Sequence, residues 1–239
     1  LMIRRPPRST HCISSAASDV YKRQDSKYKE INMDSRKITG LSMIIAPVVA
    51  ILGWIGLGLV VLGGASPSDP TKWMSELSAN SEVVKFVMPL ITVLFLIAIW
   101  GLNRIKNSME GGEGHMMAGF GFFLVILGSA AQLGEVAFTV ATADAVNTDL
   151  TVATAMLASG QAIGAISTTI TAIGFALIGI GILQQKNFTP LVAGLMIITG
   201  IVATAISLID YESPLMMIGY LGMVASLVWL GASLLRQED

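Results

Sequence analysis

LTVATAMLASGQAIGAISTTITAIGFALIGIGIL, residues 150–183, contains no acidic, basic or histidine side chain. A membrane-spanning helix needs about 20 mostly apolar residues at 1.5 Å rise each, so this run alone is long enough to cross a bilayer. Similar runs flank it. Toward the N-terminus they cover 117–142, 83–102 with Pro89 inside, and 38–63 with Pro47 inside; toward the C-terminus they cover 190–209 and 214–235. Proline inside such a run is compatible with a membrane helix, because neighbouring groups can satisfy the freed carbonyl.

Composition agrees with lipid as the solvent. Of 239 residues 53% are hydrophobic and only 13% charged, with a mean hydropathy of +0.70, too little charge to cover a soluble domain of this size. The short alternating segments of a β-barrel are absent, and 24 glycines suit closely packed helices. The expected fold is therefore an all-α polytopic membrane bundle of six transmembrane helices: 38–63, 83–102, 117–142, 152–183, 190–209 and 214–235.

Local signals mark the boundaries. Thr189-Pro190 and Ser213-Pro214 each place a hydroxyl before a proline at a first helical position, and Asp149 stands where a side chain can cap the fourth span. Asp69-Pro70 opens a short stretch with Trp73, Met74 and Leu77 on one face, which reads as an interfacial helix against lipid headgroups or, equally, as an ordinary ordered loop. Lysine and arginine set the orientation. Arg36, Lys37, Arg104, Lys106, Lys186 and Arg236 fall at one set of ends, while the other holds Lys72 and Lys85. Both termini are thus expected in the cytoplasm, in a prokaryotic cytoplasmic membrane. Gly63-Gly64-Ala65 offers an alternative as a signal-peptidase site, although the apolar run before it exceeds the usual 7–15 residues of a signal core.

Residues 1–24 differ in character. Met2 to Thr10 resemble the translation of a sequencing-library adapter, and Ser14 to Gln24 that of a transposase end, so the segment is set aside from fold reasoning as an artefact expected to be disordered. Residues 25–37 read as a polar tail with a natural start at Met33, and 236–239 as a C-terminal tail. Lys29-Glu30, six bases upstream of the Met33 codon, is compatible with a bacterial ribosome-binding site. Setting the segment aside removes Cys12, the single cysteine, together with His11 and five basic residues against one acid, which leaves a cysteine-free and more acidic chain. Thiolate chemistry, disulfides and cysteine or bis-histidine metal centres are then excluded, and no cofactor or metal is expected. His115, beside Glu113, reads as a solvated loop residue.

Within the predicted spans Glu135 is the one carboxylate, and an ionisable group in a span is a functional candidate. It lies on a helical stripe with Gly128, Gln132, Thr139 and Thr142. The fourth span offers Thr154, Gln161 and Thr168, and the fifth Thr199, Ser207 and Asp210. Glu135, Gln132, Gln161, Thr168, Ser207 and Asp210 form the candidate polar cavity, expected in the outer half of the bilayer. At 1.5 Å per residue Glu135 is about 27 Å from Met117, so a position at the outer interface, in reach of water, is the competing reading. Gly160 and Gly164, with Thr168, Ala172 and Ala176 at four-residue spacing, form a helix-packing stripe; Gly222 and Ser226 repeat it in the last span.

No catalytic constellation appears. Ser159-Gly160 falls short of the serine motif of six-helix intramembrane proteases, since position 157 is leucine and no span holds a histidine base. The late spans lack a lysine for retinal, and the glycine clusters follow no strand, so no phosphate loop is supported. The expectation is a non-enzymatic multi-pass protein transporting a small solute, proton or cation. The alternative is a membrane subunit or scaffold associating with itself or another membrane protein through its small-residue faces. Lipid is the expected environment, and no nucleic-acid partner is expected.

Overall fold

The computed structural model describes residues 35–65 and 68–236. By internal contacts the chain divides into two units, residues 1–38 and 39–239. Of the first, only Ser35 to Ile38 are described, and they begin a helix. The adapter-like segment, the start at Met33 and tail residues 237–239 lie outside the described residues.

Among the described residues, six helices are long and apolar enough to cross a membrane: α1 (Ser35–Val61), α3 (Ser81–Asn107), α4 (His115–Ala145), α5 (Leu150–Gln185), α6 (Pro190–Ile209) and α7 (Met216–Arg236). A short amphipathic helix, α2 (Pro70–Ala79), lies between the first two spans. There is no strand among the described residues. The protein is a multi-pass, all-α membrane protein. Outward faces carry large apolar side chains such as Phe86, Trp100, Phe120 and Ile209, a surface suited to lipid.

Several helices run past the apolar runs. α3 continues through Arg104 and Lys106 to Asn107, and α4 starts at His115, because polar ends can stay helical outside the hydrocarbon core. At about 1.5 Å per residue, the 36 residues of α5 reach about 54 Å, well beyond a core of about 30 Å. Asp149 caps α5 as expected, accepting from the N–H groups of Thr151 (2.9 Å) and Val152 (3.2 Å), and Asp69 caps α2 from Lys72 N–H at 3.2 Å. Two boundary expectations need correction. Thr189 occupies the N-cap position of α6, but its hydroxyl makes no capping bond. Ser213-Pro214 precedes the last helix instead of opening it: Met216, Met217 and Ile218 donate to carbonyls three residues back, a tight turn before the α-helix begins at Met216.

Each span packs on the next in the chain. α1, from Gly40 on, meets α7, where a Cβ on Gly231 would come within 2.6 Å of the Gly40 carbonyl. It also meets α3, where Met43 fills the space over Gly101 and Ile91 lies against Gly53. Spans α1, α3, α4, α5, α6 and α7 therefore close a ring of neighbours. The tightest seam joins α4 and α5. Gly121 and Gly174 face each other, so that a Cβ on either would lie 2.6 Å from the other's carbonyl oxygen; Gly114 lies against Gly181 and Gly128 against the Ser167 carbonyl. Small residues let antiparallel backbones approach this closely.

The two ends of the bundle differ. At the end bearing residues 108–114 and 186–189, Leu102, Ile105, Met109, Ile178, Ile182, Met196 and Leu230 are fully buried in the interior. At the opposite end, large side chains give way to a cavity. A second apolar cluster of Leu57, Leu62, Leu77, Val84 and Ala143 lies nearer the chain turns at that end. Here the expectation for α2 is corrected. Its apolar face is buried on protein, with Leu77 in that cluster and Met74 against Ala153 and Leu157. Val84 of α3, Ala143 of α4 and Ala153 of α5 supply buried apolar surface that takes that face out of water. Lys85 joins α3 to α4 through Asp144 at 2.6 Å and also pairs with Glu82 at 3.1 Å. Such exposed pairs contribute about 0–1 kcal/mol.

Candidate functional site

The row Gly114, Gly121, Gly128, Glu135 has a seven-residue period and follows the α4 face that packs on α5. At its fourth place a carboxylate side chain replaces glycine, and α5 answers with Gly160 and Gly164. A Cβ on Gly164 would lie 2.5 Å from the Glu135 carboxyl carbon, and one on Gly160 would lie 3.1 Å from Phe138 Cβ. The bare backbone at Gly164 is thus the floor on which the carboxylate rests.

Neutral donors hold that carboxylate. Tyr211, in the turn after α6, donates its hydroxyl to Glu135, 2.9 Å from Oε1 and 3.1 Å from Oε2. The Gln132 side-chain amide, one helical turn before Glu135, donates to Oε2. Gln132 Oε1 in turn accepts from Ser167 Oγ at 2.7 Å. Tyr220 of α7 donates toward Tyr211 Oη at 3.4 Å and lies 3.2 Å from Thr168 Oγ1 of α5. Since each hydroxyl carries one proton, the arrangement that satisfies all of them runs Thr168 to Tyr220 to Tyr211 to Glu135. Burial first, and then neighbouring Tyr220 and Glu135, push the Tyr211 phenol well above its ordinary pKa, so it remains a donor at neutral pH.

The network forms one wall of a cavity of about 180 Å³. Its other walls come from α1 (Ile51, Trp54), α3 (Phe95, Ile99), α5 (Phe175) and α7 (Met223, Leu227). α6 contributes no lining residue. Trp54 is 40% exposed and stands at the cavity edge, its ring 6.2 Å from that of Tyr220 at 56°. Among the described residues, no lysine, arginine or histidine lines the cavity.

Of the six residues expected to share a cavity, Glu135, Gln132 and Thr168 line it. The other three do not. Ser207 is buried in the α5–α6 interface, donating to the Ala165 carbonyl at 2.7 Å and accepting from Thr169 at 3.1 Å. Asp210 is exposed at the end of α6. Gln161 lies partly buried one turn from Gly164, with its Nε2 unpartnered. Their three-dimensional placement follows from helix rotation, which spacing alone leaves open. The expected packing residues are used within the chain: Gly160 and Gly164 against α4, Gly222 against Thr199, and Ser226, fully buried, bonded to its own helix at the Gly222 carbonyl (2.8 Å).

Tyr211, Tyr220, Ser167 and Trp54 were not foreseen. A signal for the tyrosines exists in the sequence. Tyr211 and Tyr220 are the only tyrosines after residue 28, and they stand nine positions apart around the turn between the last two spans. The seven-residue glycine row ending in Glu135 is a second signal. Comparison with protein families, with characterised proteins and with solved structures gives no match.

Proposed function

We propose that this membrane protein is a transporter in which Glu135 alternately carries a proton and a cation. One observation carries the reading. The Glu135 carboxylate, in a spanning helix, is hydrogen-bonded by Tyr211 and Gln132 on the wall of a cavity to which the described residues supply no positive side chain. A carboxylate in a membrane interior requires a counter-charge or a proton. Neutral donors lower the cost of ionisation without occupying the site with a permanent cation. The row of hydroxyls from Thr168 through Tyr220 and Tyr211 suits proton transfer to that oxygen.

The asymmetry of the bundle supports a single-sided cavity, since the end bearing residues 108–114 is filled by large side chains. The lysine and arginine distribution supports the reading in which that end is cytoplasmic and the cavity lies in the outer half. Proton flux tests the proposal. Proteoliposomes holding an acidic interior and a pH-sensitive dye are challenged with external monovalent cations, inorganic and organic. The wild-type protein is expected to discharge the gradient, and Glu135→Gln, which preserves side-chain shape, to abolish that discharge. Equal discharge by the variant, or none by the wild type with any cation, overturns the proposal.

A further inference from the structure

The chemistry of the cavity wall narrows the cation. Among the described residues, Glu135 is the sole charged one lining it, and the donors from Tyr211 and Gln132 already take up part of its oxygen surface. A hard inorganic cation requires several oxygen ligands to replace its water, and this wall presents mostly carbon. Trp54, Phe95, Phe175 and Tyr220 bring four aromatic rings from α1, α3, α5 and α7 around one cavity. Aromatic faces attract weakly hydrated cations, and more strongly where water is excluded. Size gives a further bound: an engineered apolar cavity of about 150 Å³ accommodates benzene, and this one measures about 180 Å³.

We infer that the cavity is a binding site for a single-ring organic cation, with its ammonium group at Glu135 and its ring among Trp54, Phe95 and Tyr220. The inference rests on the transport reading for its setting, but it concerns occupancy alone. The ligand is weakly hydrated, so little hydration is lost on entering, and its apolar body replaces ordered solvent against aromatic and aliphatic walls. Its charge supplies the counter-ion that the protein withholds from Glu135. A proton and such a cation then compete for one carboxylate, which links their movements.

Calorimetric titration of the full chain in lipid nanodiscs tests this, with benzyltrimethylammonium as the probe. It is permanently charged, so its binding does not depend on its own protonation. Three results are expected: saturable binding to the wild type; clearly weaker binding of tetramethylammonium, which lacks the ring; and clearly weaker binding of neopentylbenzene, the uncharged isostere. These comparisons use the wild-type protein and do not depend on any variant folding. Glu135→Gln is expected to weaken benzyltrimethylammonium by about tenfold or more, and Trp54→Ala by several-fold. Tyr220→Phe, which retains the ring, is expected to keep most of the affinity. Absence of saturable binding, equal affinity for tetramethylammonium or neopentylbenzene, or undiminished binding by Glu135→Gln overturns the inference. The two readings fail separately. Gradient discharge by small inorganic cations without benzyltrimethylammonium binding refutes the ligand class and leaves transport standing. Glu135-dependent binding without discharge refutes transport and leaves the site standing.

Discussion

At the scale of single residues, the site depends on an absence. Gly164 has no side chain, and the space a methyl group would occupy is filled by the Glu135 carboxyl. Gly164→Ala therefore meets the far end of a flexible side chain, which can swing away at little energetic cost. The expected outcome is a melting temperature close to wild type together with loss of most proton flux, because Tyr211 and Gln132 no longer meet the carboxylate. A large drop in melting temperature with flux retained per folded molecule would contradict this. Glu212, next to Tyr211, gives a pH signature outside the spans. Partial burial, and then the charge of Asp210, raise its pKa above the ordinary carboxylate value. A raised acid favours the folded state while protonated, so that its contribution is full below the unfolded pKa and is lost as pH rises through the folded one. Glu212→Gln is accordingly expected to melt higher than wild type at neutral pH, with the difference shrinking as pH falls through the raised folded pKa and gone below about 4.5, the ordinary value. Parallel melting curves from pH 4 to 8 measure it.

At the scale of elements, α4 and α5 are held by a seam whose tolerance is set glycine by glycine. A Cβ at Gly121 would come within 2.6 Å of the Gly174 carbonyl, and backbone cannot yield as a side chain does; a Cβ at Gly119, half a turn away, meets nothing within 4 Å. Gly121→Ala is expected to destabilise by about 1–3 kcal/mol through overpacking, whereas Gly119→Ala is expected to be neutral or to gain up to about 1 kcal/mol in helix propensity. Thermal unfolding of the two purified variants in one detergent separates them, and equal effects would place the seam elsewhere. The same element level explains why the cavity was half legible. Glu135, Gln132 and Thr168 could be drawn from their one-face spacing, but Ser207 and Asp210 depend on the rotation of α6. That helix turns Ser207 onto the Ala165 carbonyl and leaves Asp210 exposed, away from the cavity. Tyr211 enters from a turn, where helical periodicity carries no information.

At the scale of the molecule, large buried side chains pack one end of the spans, and the cavity lies between that end and the opposite turns. Lysines and arginines collect at the dense end, with Arg104 and Lys106 at the end of α3, Lys186 after α5 and Arg236 in the last turn of α7. This predicts which loops a membrane-impermeant maleimide reaches. After Cys12→Ser the chain has no other cysteine, so single replacements report cleanly. Asn147→Cys, in the turn between α4 and α5, is expected to label in intact cells. Glu110→Cys, between α3 and α4, is expected to label only after the membrane is opened. The reverse pattern would invert the protein and turn the cavity toward the cytoplasm.

What the amino-acid order determined by itself was the solvent and the number of crossings. Six long apolar runs with little charge cannot remain in water, and backbone polar groups in lipid must be satisfied within helices. It also singled out Glu135, because a carboxylate within an apolar run is conspicuous on any helix. Only the tertiary structure decided what surrounds that carboxylate. Helix rotation and the depth of the α4–α5 glycine seam depend on packing summed over all six spans, and they bring Tyr211 to Glu135, Tyr220 to Tyr211 and Trp54 to Tyr220.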